Sequence, residues 1–213
     1  MKSRDSFFIK PTVEKKETPN ESNFEDDGQA YFERYMRDLG LSKEDLSKKI
    51  LDVGSNTGDF ANWAKQNNVS GNIFSLEPWA ISNERTKSVR ARAEAIPFKD
   101  NSFDFVVSDC AIPNIFLGEK DVKEKVYGSL FEMLRVTKPG GEIRLGKIVK
   151  GVLYPSQREL LLALDETLRE LKEIFKVEIE EVYLPGSDHF EPAESEHAGK
   201  LLLQSYFIKI KKP

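Results

Sequence analysis

The sequence predicts an α/β protein built on a doubly wound, mostly parallel β-sheet with helices on both faces. Three features lead to this prediction. Short apolar runs alternate with amphipathic helical stretches, a glycine-containing turn follows the first run, and an acidic residue ends the second. With 213 residues, of which 39% are hydrophobic, the chain is long enough for one such domain and its core.

The N-terminal part predicts a flexible lead followed by a helix. Residues 1–23 are polar and rich in charge, which is typical of a mobile segment. The apolar triplet at residues 7–9 could instead dock on the domain or on a partner. Aromatic and apolar side chains then recur at helical spacing over residues 26–39, so we predict a helix that Gly40 ends.

The helix predicted over residues 26–39 has two interpretations. It packs on an edge of the sheet, or it covers the following turn as a lid. As a lid it would bring Tyr31, Arg34 or Tyr35 to a carboxylate of the ligand. A second short helix is predicted over residues 42–47, whose first and fourth residues, a serine and an aspartate, have capping-box spacing.

The turn after the first predicted strand, residues 49–53, is central to the prediction. The apolar residues from Phe60 onward have helical spacing, so the order is strand, tight turn, helix. Backbone N–H groups are then exposed at a helix N-terminus, where the helix dipole favours anions. Gly54 lets a ligand approach the backbone, Asn56 tolerates left-handed geometry, and Gly58 lets the helix pack near the strand.

Residues 54–58 differ from two known phosphate-binding turns. A P-loop would end in Gly-Lys-Ser/Thr, which is missing here. A dinucleotide fingerprint would need Gly-x-Gly-x-x-Gly, whereas the spacing here is Gly-x-Asn-x-Gly. Residues 54–58 therefore match neither turn, and a plain strand–turn–helix corner is the interpretation without a ligand.

The second predicted strand, residues 72–76, ends at Glu77-Pro78. A carboxylate at this position can accept two hydrogen bonds from the vicinal hydroxyls of a ribose. A solvated loop acid is the alternative. Trp79 follows in a predicted short helix with Ile81, where it would line a nucleoside or pack against the sheet.

The remaining elements follow from the length and alternation of the apolar runs. The predicted strands are residues 89–93, 103–108, 142–149, 177–184 and 201–210, and a long amphipathic helix covers residues 155–175. Its leucine stripe, which we expect to pack on the sheet, is Leu160, Leu161, Leu164, Leu168 and Leu171.

Composition and charge argue against several classes of function. The 32 basic and 36 acidic residues are well mixed, so no bulk nucleic-acid surface is predicted. One cysteine and two distant histidines make neither an intramolecular disulfide nor a metal-ligand cluster, so no metal is predicted. No run approaches the roughly 18 apolar residues of a membrane span. We therefore predict a cytoplasmic protein without a membrane contact.

Three spaced motifs resemble those of class I S-adenosylmethionine-dependent methyltransferases of the small-molecule type. Asp-Val-Gly-Ser-Asn-Thr-Gly at residues 52–58 matches Asp/Glu-x-Gly-x-Gly-x-Gly with one substitution. Residues 92–98, followed by residues 100–104, are similar to Asp-Ala-Glu-x-Leu-Pro-Phe and Asp-x-Ser-Phe-Asp. Arg-Val-Thr-Lys-Pro-Gly-Gly at residues 135–141 resembles Arg-Val-Leu-Lys-Pro-Gly-Gly. The resemblance is close over residues 49–150 and otherwise rests on element order.

The resemblance implies a Rossmann-like fold of seven strands, with the last strand antiparallel between the fifth and the sixth. It implies one methyltransferase domain over residues 24–213, made of N-terminal helices (24–48), a cofactor-binding core (49–150) and a C-terminal completion of the sheet (151–213). The implied enzyme moves a methyl group from S-adenosyl-L-methionine to a small molecule or a side chain by in-line displacement. Such a reaction depends mainly on positioning, so no dedicated catalytic motif is expected.

The resemblance also implies the site residues. The turn would surround the methionine moiety, Glu77 would hold the ribose, the Ala93 N–H would meet the adenine edge, and Asp109 would lie near the methyl group. The predicted cofactor-binding residues are Tyr31, Asp52, Gly54, Ser55, Asn56, Gly58, Glu77, Pro78, Ala93, Glu94 and Asp109. Asp109 is also the candidate general base, with capping of the next turn as its alternative role.

The sequence departs from the family at Arg92, where an acid usually contacts the adenine amino group. Arginine cannot accept a hydrogen bond, so Glu94, the main chain or water would take that role. Cys110 is expected to be a small packing residue, and His189 and His197 are expected at the surface. Two alternatives to the enzyme stay open: a non-catalytic nucleoside- or partner-binding domain of the same fold, and a nicotinamide-dependent oxidoreductase.

Overall fold

The computed structural model describes residues 21–79, 87–150, 154–185, 189–191 and 201–213, and the side chains of all of these except 21–27, 189–191 and 201–203. Several expectations fall outside this part of the chain. They are the docking of residues 7–9, the short helix that would include Ile81, and the surface positions of the His189 and His197 side chains.

The elements alternate between strand and helix through most of the chain. They are α1 Glu21–Asp38, β1 Ile50–Val53, α2 Asp59–Gln66, β2 Ile73–Leu76, β3 Lys87–Val89, β4 Phe103–Asp109, α3 Val122–Val136, β5 Thr137–Lys150, α4 Pro155–Phe175, β6 Glu178–Tyr183, β7 His189–Glu191 and β8 Leu201–Lys211. Short 3-10 turns lie at Asp45–Ser47 and Asn114–Phe116.

The strands of the described residues form one sheet in the order β3-β2-β1-β4-β5-β8-β6, and β7 pairs with β8 beside this path. The pairs among β1 to β5 are parallel, whereas β8 runs antiparallel to β5 and to β6. The predicted α/β class with a doubly wound, mostly parallel sheet is confirmed. The antiparallel position of the last strand between the fifth and the sixth is also confirmed.

Helices cover both faces of the sheet, each over its own buried cluster. On one face, α3 and α4 pack against the sheet through residues such as Leu130, Met133 and Leu164. On the other, α1 and α2 pack through aromatic side chains, with the Phe32 and Trp63 rings centred 4.2 Å apart. Parallel strands buried on both faces are apolar runs, which is why the strands were visible in the sequence.

Strand bounds differ from the prediction where tertiary pairing decides them. β3 covers Lys87–Val89 rather than residues 89–93, because it pairs with β2, whose strand ends at Leu76. β5 begins at Thr137, five residues before the predicted start, because Thr137 pairs with Phe103 ahead of a register shift. The short strand β7 was not predicted.

The observed helices agree more closely with the prediction than the strands do. α4 has the predicted bounds, and four of its leucines are buried while Leu161 packs against the same cluster. α1 begins at Glu21, five residues before the predicted start. The predicted short helix is a 3-10 turn, and its capping box forms: the Ser42 N–H donates to Asp45 Oδ2 at 2.9 Å, and the Asp45 N–H donates to Ser42 Oγ at 3.3 Å. The division of the chain at residues 24, 49 and 151 stays a prediction.

Candidate functional site

A cleft of 650 Å³ opens at the carboxyl ends of β1, β2 and β4, with α1 on one side. In doubly wound sheets this edge is where ligands bind, because the loops after the strands diverge there. The described residues that line it are Tyr31, Arg34, Val53, Gly54, Asn56, Leu76, Glu77, Pro78, Trp79, Arg92, Ala93, Glu94, Asp109, Cys110, Ala111, Ile112, Ile115, Phe116 and Glu119. Eight of the eleven predicted cofactor-binding residues are in this set, since Asp52, Ser55 and Gly58 are missing from it.

The turn after β1 has the backbone geometry that the sequence predicted. Gly54 has φ +77°, and a Cβ placed there would lie 2.3 Å from the Ala111 Cβ. Asn56 has φ +52°, a left-handed conformation that asparagine tolerates better than most residues. Gly58, also at φ +77°, is the N-cap of α2, and its carbonyl accepts the Asn62 N–H at 2.9 Å. The turn is therefore held in one shape by backbone constraints.

Glu77 lies against the same turn, although it is 21 residues away in the chain. Its Oε2 accepts the Asn56 N–H at 3.1 Å. The Gly54 N–H donates to the Leu76 carbonyl at 2.9 Å, so the ends of β1 and β2 are joined directly. The carboxylate predicted to hold a ribose thus lies beside the glycine turn. This contact also orients Glu77 at the wall of the cleft.

Asp109, at the end of β4, is paired with the N-terminal helix. Its Oδ2 lies 3.0 Å from an Arg34 guanidinium nitrogen, and the Asp109 side chain is fully buried while that of Arg34 is 33% exposed. The Arg34 guanidinium carbon lies 4.3 Å from the Tyr31 ring centroid, a cation–π contact. A Cβ at Gly146 would come within 2.7 Å of Asp109 Oδ1, so the glycine leaves room for this carboxylate.

Burial and charge change the titration of the carboxyl groups in this region. Burial raises the pKa of Asp109, the Arg34 cation opposes the rise, and the Asp38 carboxylate adds to it. Asp52 is fully buried, and its pKa lies well above the usual value because of desolvation and the nearby charges of Asp109 and Glu77. The Tyr35 hydroxyl opposes the rise at Asp52. Both carboxyl groups therefore keep their protons to a higher pH than the same group in water does.

Asp52, Ser55 and Gly58 are not on the cleft surface. Asp52 is 0% exposed and Ser55 is 1% exposed, while Gly58 serves the start of α2. Direct contact between the side chains of Asp52 or Ser55 and a ligand does not follow from this arrangement. The assignment of Asp52, Ser55 and Gly58 as cofactor-binding residues stays a prediction.

The wall expected at the adenine end carries an ion pair. Arg92 lies 3.0 Å from Glu94 Oε1, and their side chains are 64% and 23% exposed. Ala93 between them is buried and lines the cleft. Glu94 is thus the acid available at this wall, where Arg92 replaces the usual one. The pair would have to open, or share its acceptor, for Glu94 to bind an amino group.

Two interpretations of individual residues are settled by the cleft. Trp79 does not pack against the sheet, because it is 79% exposed and lines the cleft. Cys110 is not a packing residue: it is exposed in the cleft, where partial desolvation of the thiol and the Asp109 carboxylate raise its pKa to about 11. It directly follows β4 and has a left-handed backbone, with φ +55°.

The segment after β4 supplies an apolar wall of the cleft, at the carboxyl edge of the sheet where the sequence predicts residues 109–116 to lie. Ile112, Ile115 and Phe116, which follow Asp109, line the cleft. Their signal was a short apolar run just after a strand-terminal acid, which could equally have been core packing.

The described ranges contain neither a cluster of metal-ligating side chains nor a membrane-spanning helix. Among these residues no group of three or more His, Cys, Asp or Glu side chains is placed to hold a metal ion. No helix in this part of the chain is both long and apolar enough to cross a bilayer.

The sheet order, and the position of the cleft where that order reverses, are those of nucleotide-binding α/β domains. Residues 51–145 match the family model described as a methyltransferase domain. Together with the three motifs, this match supports the resemblance of the chain to class I S-adenosylmethionine-dependent methyltransferases.

Two relatives and one solved structure illustrate the similarity. A ubiquinone/menaquinone biosynthesis C-methyltransferase UbiE from Rickettsia typhi is 27% identical over 68% of this chain and 65% of its own length. A demethylmenaquinone methyltransferase from Staphylococcus aureus is 34% identical over 52% of this chain and 46% of its own length. The chain thus spans less than two thirds of either relative. A putative sarcosine dimethylglycine methyltransferase from Galdieria sulphuraria shares the fold, with 16% identity, a TM-score of 0.52 and 86% coverage of both chains.

Proposed function

We propose that this protein transfers a methyl group from S-adenosyl-L-methionine to a small-molecule acceptor bound in the cleft. The observation that carries the proposal is the contact between Glu77 and the N–H of Asn56, which brings a ribose-binding carboxylate to a glycine turn. A volume of 650 Å³ is in the range of small-molecule sites.

The residues of the turn fit this cofactor. A side chain at Gly54 would collide with Ala111, so a glycine is needed here, and its main chain lines the cleft where a ligand can approach it. The cofactor's sulfonium makes its methyl group reactive. The protein's part is to align donor and acceptor, which can supply effective molarities of about 10^5 M or more.

Each wall of the cleft then has a distinct task. Glu77 would accept hydrogen bonds from the ribose hydroxyls, with Pro78 beside it, and the Ala93 N–H would meet the adenine. Arg34, held over the Tyr31 ring, would offer its guanidinium to the donor carboxylate. Asp109 would take a proton from an acceptor that arrives protonated, and burial, which raises its pKa, makes it a stronger base than an exposed carboxylate.

A small-molecule acceptor is favoured by the names of the relatives, both of which concern quinones. The alignments cover only part of either relative, so the relatives' acceptors are not carried over to this chain. The cytoplasmic location remains a prediction from composition, namely the single cysteine.

A non-catalytic nucleoside-binding domain of the same fold is the second candidate. It is supported by the Arg34–Asp109 ion pair, because a candidate base that is already bound to a cation is not free to accept a proton. The two proposals differ in turnover and not in cofactor binding.

Thermal unfolding with S-adenosylhomocysteine and, separately, with NAD tests the cofactor. We expect S-adenosylhomocysteine at 100 times its dissociation constant to add about 2.7 kcal/mol of stability and NAD to add none. The proposal would be contradicted if neither S-adenosylmethionine nor its demethylated product changed the melting temperature. Binding without S-adenosylhomocysteine formation across a broad acceptor panel would favour the non-catalytic candidate.

A further inference from the structure

Three large apolar side chains are exposed around the mouth of the cleft. Trp79 is 79% exposed, Ile115 is 53% exposed and Leu117 is 47% exposed. Trp79 and Ile115 line the cleft, and Leu117 directly follows Phe116, which also lines it. We refer to Trp79, Ile115 and Leu117 as the apolar rim. Single exposed apolar residues are common, but several at the mouth of one cleft indicate a surface that a ligand covers.

The rim continues an apolar wall that begins inside the cleft. Ala111, Ile112 and Phe116 are all buried, at 6%, 0% and 3% exposure, yet they line the cleft. The segment is ordered by its own hydrogen bonds, since the Ile115 N–H donates to the Ala111 carbonyl at 2.9 Å. A ligand that enters along this wall therefore meets apolar surface continuously from the interior to the mouth.

The polar groups of the acceptor side lie at the inner end of this wall. Asp109 and Arg34 form their ion pair there, and Cys110 adjoins it. Glu119, an acidic residue that lines the cleft, is paired with Lys125 at 3.0 Å, so its charge is partly compensated. The wall thus has a polar inner end and an apolar outer end, which gives a bound molecule a preferred direction.

We propose that the methyl acceptor is amphipathic, with a polar head at Asp109 and an apolar chain that leaves the cleft over Ile115, Leu117 and Trp79. The inference rests on the proposed function, since it assigns the acceptor of the same site. The chain buries apolar rim surface that is otherwise in contact with water, and the affinity for the acceptor therefore rises with its chain length.

Calorimetric binding of two phenols, with S-adenosylhomocysteine present at saturation, tests the proposal. The probes are 4-ethylphenol and 4-octylphenol, which share the hydroxyl head and differ by six methylene groups. We expect the octyl compound to bind at least tenfold more tightly to the unaltered protein. The double variant Ile115→Asp, Leu117→Asp should reduce this gain to less than threefold, with unchanged affinity for S-adenosylhomocysteine.

A matched control is available on α4. Leu162 is 55% exposed, similar to Ile115, and it does not line the cleft. Leu162→Asp should keep the full tenfold gain. The inference is overturned if the unaltered protein gains less than threefold from the octyl chain, if it binds neither phenol, or if the rim variant keeps the gain. An absence of heat with S-adenosylhomocysteine alone would instead refute the proposed function, so the two failures can be told apart.

Discussion

At the scale of single residues, the site depends on contacts between positions that are distant in the chain. Glu77 and Asn56 meet through one hydrogen bond, and Gly54 and Ala111 approach so closely that no side chain fits between them. Each contact joins the end of one strand to the loop after another. The turn, the candidate ribose ligand and the acceptor wall therefore behave as one unit.

Glu77→Ala is predicted to weaken S-adenosylhomocysteine binding by about 1–3 kcal/mol, because it removes a charged acceptor for hydroxyl groups. The loss should appear in the dissociation constant measured by calorimetry. Glu173→Ala, which removes an exposed glutamate on α4, should leave binding unchanged. A dissociation constant that does not move in Glu77→Ala would contradict the ribose role.

Gly54→Ala is predicted to lower both stability and cofactor affinity. The left-handed backbone costs a residue with a side chain about 1–2 kcal/mol, and the new Cβ meets the Ala111 Cβ at 2.3 Å. Urea unfolding and calorimetry measure the two effects. Gly71→Ala is the control, because nothing lies within 4 Å of a Cβ at that position.

The double variant Gly54→Ala, Ala111→Gly separates the two causes. It removes the steric contact and leaves the strained backbone, so it should recover part of the lost stability. Normal affinity and stability in Gly54→Ala alone would show that the turn has been misassigned.

At the scale of secondary structure elements, Arg135 near the end of α3 fixes the loop that follows residues 92–94. Its guanidinium donates to the carbonyls of Ile96 and Phe98, each at 2.8 Å, and to Asp100 Oδ1 at 2.7 Å. Glu132, one turn earlier, accepts both from Arg135 and from the Ile96 N–H. The Arg-containing motif and the Pro-Phe motif were found separately in the sequence, and the structure joins them.

Arg135→Lys is predicted to destabilise the fold by about 1.5–3 kcal/mol, the range for hydrogen bonds to charged groups. Lysine keeps the charge and loses the planar fork that serves several acceptors at once. Urea unfolding measures the change. Arg158→Lys, at an exposed position on α4, should change stability by less than about 0.5 kcal/mol; equal effects in both variants would remove the special role of Arg135.

At the scale of the whole molecule, buried acids tie stability to pH. Asp52 lies in β1, which has a strand on either side, and it is fully buried and close to Asp109 and Glu77. Desolvation first, and then these two charges, hold the pKa of the folded protein's Asp52 well above the usual 3.8. The folded state therefore binds this proton more tightly than the unfolded chain does.

Stability should consequently fall as pH rises from about the usual carboxyl pKa towards the raised one, by at most about 1.4 kcal/mol per pH unit for this group. Asp52→Asn lacks the ionisation, so its stability relative to the unaltered protein should increase with pH over that interval. Urea unfolding from pH 4 upward measures the difference. The exposed control Asp165→Asn is expected to differ in stability from the unaltered protein by the same amount at every pH. The same constant difference for Asp52→Asn would contradict the raised pKa of Asp52.

The sequence by itself determined the order and kind of most elements, the left-handed turn at Gly54 and Asn56, and the acid that ends β2. These are local properties, since apolar spacing and backbone tolerance act over a few neighbouring residues. The bounds of β3 and β5 were not determined in this way, because a strand extends only as far as its pairing with its neighbours does.

Only the tertiary structure decided which of those residues share the cleft. The Arg34–Asp109 pair, the burial of Asp52 and the apolar rim at Ile115 depend on α1 and the loop after β4 meeting across the carboxyl edge of the sheet. Burial and ion pairing are set by what other segments bring to a residue. For this reason the same acidic and apolar side chains were open to two interpretations in the sequence and acquire separate roles in the fold.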